Sequence, residues 1–332
     1  MWYQCVFGLF AVCCSYGCGS SDINVNSGSS HDISDKDELL EPDDRVSNIV
    51  CSEYVGDNPR GFSGIQCMSP GAQKQCDLLT DLLLKSCVKH PAKTYLVDDS
   101  FGWDQGWLTR DVEALALQGR QPELVFYIAN GASARKEGSP VPHLQRSVAS
   151  FRDAIQYDPA LRARYSALVA RVIPVLRRAR ELGAGVRLIP FLEDNFTDKA
   201  FAAALDLTRK ALPADLQDIK LGRNPCPGCA PGNSNNIPSG LFRDLHTNTG
   251  NFHNPGGMVV DDGFVLTSQE KAPIFKAAAE QGAIAIDWGA GRQGCAVRDG
   301  KPVCGTDPAT RQYYTPTEAE QSEMVKLVRG EL

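Results

Sequence analysis

The sequence predicts an α/β fold, either a (β/α)8-type barrel or a barrel-like parallel sheet with a Cys-rich N-terminal extension. Several segments are apolar throughout rather than at every second position, which is typical of strands buried on both faces of a parallel sheet. Amphipathic helical stretches separate these segments. Seven such strands fall between residues 93 and 332, a length typical of an eight-stranded barrel. A doubly wound open sheet is the alternative, because no eighth strand is recognisable.

The strongest strand signals are residues 123–129 (ELVFYIA) and 186–192. A long helical region ends at Gly183, and Thr197 is predicted to cap the next helix. Thr317 precedes Glu320 in a capping box at the last helix. The predicted strands are 94–97, 123–129, 186–192, 219–221, 241–245, 257–260 and 283–286. The predicted helices are 77–88, 108–117, 147–182, 199–212, 269–281 and 317–328.

Four regions follow from composition. Residues 1–18 carry no Asp, Glu, Lys or Arg and are mostly apolar, which predicts a signal peptide. Residues 19–47 are rich in Ser, Asp, Asn and Gly without apolar periodicity, which predicts a disordered acidic stalk. Residues 48–92 contain four cysteines and are expected to be an extension packed on the main domain. Residues 93–332 are expected to form an α/β catalytic domain.

Export is predicted from the cysteines and the N-terminal segment together. Twelve cysteines are many for a reducing cytosol. The segment that ends in Gly17-Cys18 resembles a bacterial lipoprotein signal, and the resemblance implies a lipid anchor on Cys18. A cleaved signal without lipidation is the alternative. The sequence therefore predicts a cell-envelope lipoprotein or a secreted protein, with any membrane attachment made through the N-terminal anchor.

The charge distribution argues against a nucleic-acid partner. The net charge is −6, and residues 19–45 carry eight acids against Lys36 and Arg45, so this region accounts for the whole of it. The remainder is close to neutral and has no broad basic surface of the kind that binds phosphate backbones.

Polar residues follow each of the strong strands. In a parallel barrel the carboxyl ends of all strands lie at one end, where active sites are built. Carboxylates, amides, a histidine and tryptophans are therefore expected to converge there. The candidate catalytic residues are Glu193, Asp99, Asp287 and Asp262. The candidate substrate-binding residues are Trp103, Trp107, Asn130, Asn195, Arg223, Asn224, His246, Asn248 and Trp288.

This combination suits carbohydrate hydrolysis, in which two carboxylates flank the scissile bond. The succession of strands, with Glu193 ending a buried strand, resembles secreted bacterial glycoside hydrolases of the barrel type. The resemblance covers residues 93–330 and implies a polysaccharide or oligosaccharide substrate. We expect Glu193 to be the acid or the nucleophile, with Asp99, Asp287 or Asp262 as its partner. This chemistry needs no cofactor or metal.

Two other functions remain open at this stage. Asp98 and Asp99 after a strand, together with His246 and His253, resemble the metal site of polysaccharide deacetylases, which would make the protein a metal-dependent carbohydrate esterase. A non-catalytic, cell-surface glycan-binding lipoprotein is the second alternative.

Two cysteine pairs are predicted to be disulfides. Cys226 and Cys229 enclose Pro-Gly in a loop, without the following helix that a redox CxxC needs. Cys295 and Cys304 flank Asp299-Gly300, a strong signal for a two-residue hairpin turn. With that turn, the two cysteines face each other at a non-hydrogen-bonded position.

Overall fold

The structure is a computed structural model that describes residues 49–64, 73–97, 104–130, 154–192, 194, 196–225, 236–247, 257–261, 268–288, 295–298, 301–304 and 316–332. All of them belong to one compact unit, Asp43–Leu332. No helix among the described residues is long and apolar enough to cross a membrane.

The fold is a closed barrel of eight parallel strands, which confirms the predicted α/β barrel. Each strand pairs in parallel with the next, and β1 pairs with β8 to close the ring. The strands are β1 (Arg60–Phe62), β2 (Pro91–Leu96), β3 (Glu123–Asn130), β4 (Gly185–Leu192), β5 (Lys220–Arg223), β6 (Phe242–Thr247), β7 (Met258–Asp261) and β8 (Ala285–Trp288).

The barrel begins earlier than the sequence suggested. The strand that the sequence analysis did not find is β1, and it lies within residues 48–92, which were expected to be an extension packed on the main domain. It is a barrel strand because it pairs with β2 on one side and with β8 on the other. With three residues, it is too short to produce a recognisable apolar run.

The helices surround the barrel, and most lie close to their predicted positions. The helix predicted over 147–182 begins only at Pro159, because the side chain of Asp158 caps its amino end there. They are α1 (Gln73–Lys85), α2 (Gln105–Ala116), α3 (Pro159–Glu181), α4 (Asp198–Ala211), α5 (Ser268–Glu280) and α6 (Glu318–Arg329). The side chain of Thr197 accepts a hydrogen bond from the amide of Ala200 and caps α4. Thr317 and Glu320 form the predicted capping box of α6.

Apolar side chains form two layers that follow from the alternation of strand side chains. In β3, Val125 and Tyr127 belong to a small cluster contributed by the strands, inside the barrel. Leu124, Phe126 and Ile128 belong to the large cluster between the barrel and the helices. Both faces of β3 are therefore buried, which explains its continuous apolar run.

At the amino end of the barrel, the ring of Phe242 lies close to the ion pair between Arg187 and Glu123. The guanidinium of Arg187 in β4 pairs with Glu123 in β3, with 3.2 Å between N and O, and lies 5.6 Å from the ring centroid of Phe242 in β6. A Cβ atom at Gly222 would lie 2.5 Å from the Phe242 ring. Only glycine leaves room for this ring on the neighbouring strand.

A buried ion pair joins β2 to α1 and α2. The ammonium of Lys93 lies 2.7 Å from a carboxylate oxygen of Asp111, and neither side chain has exposed surface. Lys93 also donates to the hydroxyl of Thr80 at 2.6 Å, and Tyr95 donates to Asp111 at 2.6 Å. Burial, followed by the charge and hydrogen bond of Asp111, raises the pKa of Tyr95 well above its ordinary value. The phenol therefore stays a hydrogen-bond donor.

A disulfide between Cys51 and Cys87 links the start of the described chain to the turn between α1 and β2. Next to it, Val55 forms two backbone hydrogen bonds with this turn, both at 3.0 Å. The amide of Val55 donates to the oxygen of Cys87, and the amide of Lys89 donates to the oxygen of Val55. Cys76 in α1 is also disulfide-bonded.

The register of the predicted hairpin is confirmed. β9 (Cys295–Arg298) and β10 (Lys301–Cys304) are antiparallel, with Cys295 opposite Cys304 and Val297 opposite Pro302. The disulfide between the two cysteines stays a prediction.

We expect Cys295 and Cys304 to be linked in the native protein. Residues directly opposite each other at a non-hydrogen-bonded position have Cα atoms about 4.5 Å apart, within the range that a disulfide bridges. Peptide mapping without reduction should recover both cysteines in one linked peptide, and the Cys51–Cys87 peptide serves as the internal control. Alkylation of either cysteine in the native protein would contradict the prediction.

Candidate active site

The carboxyl ends of all eight strands lie at one end of the barrel, because every neighbouring pair is parallel. Most of the predicted site residues follow these strands or occupy one of their last two positions, whereas Trp107 lies in α2. Asp287 lies in β8, where its backbone is in register with Val260 of β7 and Gly61 of β1. Glu193 directly follows β4, which ends at Leu192.

Several predicted residues lie outside the described part of the chain. They are Asp98, Asp99, Trp103, Glu193, Asn195, Cys226, Cys229, Asn248, His253, Asp262 and Cys18. For Asn130, His246, Asp287 and Trp288 the structure gives the strand position alone. The roles of all these residues stay predictions.

The best-defined feature of this end is an ion pair between Asp194 and Arg223. Asp194 follows the end of β4, and Arg223 is the last residue of β5. The guanidinium binds both carboxylate oxygens, through Nε at 2.8 Å and Nη2 at 3.0 Å. Both side chains are fully buried. Such a two-bond pair fixes direction as well as distance.

The backbone strengthens this arrangement. The amide of Asp194 donates to the oxygen of Asn224 at 2.8 Å, and Asp194 forms an isolated parallel bridge with Pro225. The pairing of β4 with β5 therefore extends past the last regular residue of either strand. The chain directly before and directly after Glu193 is fixed by hydrogen bonds of the barrel.

Arg223 was predicted to bind substrate, but in the structure its hydrogen bonds are made within the protein. Its five N–H groups all donate to acceptors of the protein: two oxygens of Asp194, a carboxylate oxygen of Asp198, and the backbone oxygens of Phe196 and Asn236. The guanidinium carbon also lies 4.3 Å from the ring centroid of Phe201. With no exposed surface, the side chain has no donor left for a substrate.

The electrostatics of this pair reflect burial and charge acting in opposite directions. Burial raises the pKa of the Asp194 carboxyl above its ordinary value, while the hydrogen bonds and charge of Arg223 act to lower it. Burial acts to lower the pKa of Arg223, but its hydrogen bonds to Asp194 and Asp198 and the negative charges of these carboxylates raise it above its ordinary value. Arg223 therefore carries its charge at every accessible pH.

A second pair of polar residues, Tyr127 and Asp244, lies inside the barrel, and the sequence analysis did not predict it. The phenol of Tyr127 in β3 donates to a carboxylate oxygen of Asp244 in β6 at 2.7 Å, and both residues are buried. The amide of Asn224 donates to the backbone oxygen of Asp244 at 3.3 Å. Asn224, predicted to read substrate hydroxyls, is itself buried and bonded within the protein.

The hydroxyls of Ser63 and Thr94 add to the buried polar groups at the ends of the strands. They lie 2.8 Å apart between the end of β1 and β2. The interior of such barrels is normally filled by branched apolar side chains. In this barrel, buried hydroxyl, phenol and carboxylate groups of β2, β3 and β6, and of the residue that follows β1, take part of that space.

Trp107 was predicted to stack on a sugar ring, and the structure places it in the helical layer instead. It lies in α2 with 3% of its surface exposed. Its indole N–H donates to Asp77 of α1 at 3.0 Å. The ammonium of Lys93 lies 5.7 Å from its ring. The apolar face of this tryptophan is used for packing.

Within the described part of the chain, no three His, Cys, Asp or Glu residues are grouped so that they could hold a metal ion. The residues that the esterase alternative needs are Asp98, Asp99, His246 and His253, and none of their side chains is described.

Comparisons with known proteins give structural similarity alone. No protein-family model matches the chain, and no curated protein matches it in sequence. Among solved structures, the chain is similar to a rutinosidase from Aspergillus niger at 10% identity, covering 63% of this chain and 72% of that one, with a TM-score of 0.40. It is also similar to GH26A from Muricauda sp. (11% identity, 70% and 84% covered, TM-score 0.41). A third is D-allulose 3-epimerase from Methylomonas sp. (12% identity, 71% and 85% covered, TM-score 0.38).

Proposed function

We propose that this protein is an exported glycoside hydrolase that acts on a polysaccharide or oligosaccharide. Glu193 supplies one catalytic carboxylate, and Asp287, Asp262 or Asp99 supplies the other. Export is supported by the Cys51–Cys87 disulfide, since such bonds persist in oxidising compartments.

The strand order is the observation that carries this proposal. β4 and β8 are four strands apart in a closed ring of eight, so their carboxyl ends lie across the barrel mouth from each other. Glu193 follows the first of these strands, and Asp287 lies in the second. Hydrolysis of a glycosidic bond needs two carboxyl groups on opposite sides of the bond. A substrate in the mouth would lie between these two chain positions.

The proposed chemistry uses the two carboxyl groups in different protonation states. One carboxylic acid gives its proton to the oxygen of the departing sugar as the glycosidic bond breaks. The other, ionised, either attacks the anomeric carbon or removes a proton from an attacking water. Where the carboxylate attacks, a water then cleaves the ester bond that it has formed and restores the carboxylate. On either route the water supplies the new hydroxyl group of the product, so each cleavage generates one reducing end.

The test is release of reducing ends by the purified full chain from a panel of polysaccharides. On a substrate that is cleaved, Glu193→Gln should lower kcat by about 10²–10⁴-fold, because the amide can neither donate the proton nor act as a nucleophile. Asp287→Asn, Asp262→Asn and Asp99→Asn, measured in parallel, identify the partner.

Glu181→Gln is the matched control. Glu181 is an exposed acid at the end of α3, next to the amino end of β4 and thus at the opposite end of the barrel. It should leave kcat unchanged. Full activity of Glu193→Gln would contradict the proposal. Loss of activity with chelators would instead indicate the metal-dependent esterase, and glycan binding without any product would indicate a binding protein.

A further inference from the structure

We propose that Arg223 is a positioning residue, which fixes the loop carrying Glu193 and Asn195 and makes no contact with substrate. The inference rests on the function proposed above, and it assigns to Arg223 a role different from the one the sequence suggested.

The contacts of Arg223 connect both ends of one loop. The loop between β4 and α4 covers residues 193–197. The guanidinium binds Asp194 at its start, the backbone oxygen of Phe196 at 3.2 Å near its end, and Asp198 at 2.9 Å in the first turn of α4. One rigid group thus binds the described residues at the start and near the end of this loop and in the first turn of the helix that follows it.

The same guanidinium also connects a second loop to the first. Its Nη1 atom donates to the backbone oxygen of Asn236 at 2.7 Å, in the connection between β5 and β6. Two neighbouring loops at the mouth of the barrel are therefore held against one side chain. A movement of either loop breaks hydrogen bonds to a buried charge, which is costly in a dry interior.

Packing fixes the loop as well. The ring of Phe196 packs edge-on against Phe191 of β4, with centroids 4.3 Å apart, and is fully buried. The amide of Phe196 donates to Asp194 at 3.2 Å. The side chains of residues 194 and 196 are thus both committed to the protein interior. Both side chains therefore hold the described part of the loop in place, which is what a positioning role for Arg223 requires.

Arg223→Lys tests this inference. Lysine keeps the charge next to Asp194 but lacks the planar fork, so it cannot bind five acceptors at once. A positioning role predicts that kcat falls by about 100-fold, because small displacements of a reacting group cost about that much. KM should change by less than about threefold, since no contact with substrate is lost.

Amide hydrogen exchange gives a second readout that does not depend on activity. In Arg223→Lys, the amides of Asp194 and Phe196 should exchange at least about tenfold faster than in the wild type, because local opening becomes easier. The amide of Gly185, which donates to Pro122 at 2.8 Å at the amino end of β4, is the reference and should not change.

Arg177→Lys is the matched control. Arg177 forms the same two-bond pair with Asp215, at 2.7 and 3.0 Å, but its side chain is half exposed. This control should change neither kcat nor exchange in the loop. If Arg223→Lys fails to fold, Asp198→Ala replaces it, because Asp198 is half exposed and alanine removes one of the five acceptors.

The possible results separate the two proposals. Unchanged exchange at Asp194 and Phe196 in Arg223→Lys would overturn the positioning role, as would faster exchange with full kcat. A raised KM at unchanged kcat would make Arg223 a substrate ligand and would also overturn it. A wild-type protein without turnover would overturn the proposed hydrolase, while the exchange result would still decide whether Arg223 holds the loop.

Discussion

Lys93→Met is expected to lower the free energy of unfolding by about 3–5 kcal/mol, because it leaves a buried carboxylate without its counter-charge. Asp111 would keep the hydrogen bond from Tyr95 but lose the ammonium at 2.7 Å. Methionine fills a similar volume, so the effect is mainly electrostatic. Urea denaturation at neutral pH measures it.

Lys210→Met provides the matched control for this substitution. Lys210 pairs with Asp206 at the same 2.7 Å, but its side chain is 70% exposed. Exposed pairs of this kind contribute less than about 1 kcal/mol. The double variant Lys93→Met/Asp111→Leu should recover part of the loss, since it removes both charges. A loss in Lys93→Met no larger than that in Lys210→Met would refute the argument.

Removal of the Cys51–Cys87 disulfide is expected to cost about 4 kcal/mol. The bond closes a loop with a sequence separation of 36 residues, and the chain-entropy relation for a loop of this length gives about that value. The double variant Cys51→Ala/Cys87→Ala avoids leaving a free thiol that could exchange with the other cysteines. Its urea denaturation is compared with that of the wild type without reductant.

Val50→Ala is the control for the segment itself. Val50 is next to Cys51 and is 87% exposed, so its truncation should change stability by less than about 0.5 kcal/mol. If the double cysteine variant were as stable as Val50→Ala, the hydrogen bonds of Val55 would be sufficient to hold the segment, and the disulfide would add little.

The strands could be predicted where both faces are buried, because such strands have apolar residues at consecutive positions. β3 and β4 supply apolar side chains to both the inner and the outer layer, so the runs 124–129 and 188–192 are apolar at consecutive positions. β1 supplies Phe62 to the outer layer and Gly61 on the other face. A three-residue strand that contains glycine has no such run, and its position depends on pairing with residues far away in the chain.

The buried polar pairs of the site could not be predicted in the same way. Tyr127 lies in the middle of an apolar run, and its neighbours do not distinguish it from the rest of that run. Asp244 does carry a signal in the sequence, because it is an acid between two strand residues, Arg243 and Leu245. A charge in the middle of a buried strand requires a partner. The sequence does not say which partner, since Tyr127 is 117 positions away.

The closure of the barrel also has a consequence for how this chain folds. β1 pairs with β8, so the last seam joins residues near opposite ends of the described chain. During synthesis β1 is made early, but one of its two neighbours becomes available only after most of the protein has left the ribosome. Contacts of such long range form slowly. Until they form, β1 and β8 each expose an unpaired edge that can pair with other chains. The seam between β1 and β8 is therefore the place where correct folding competes most directly with aggregation.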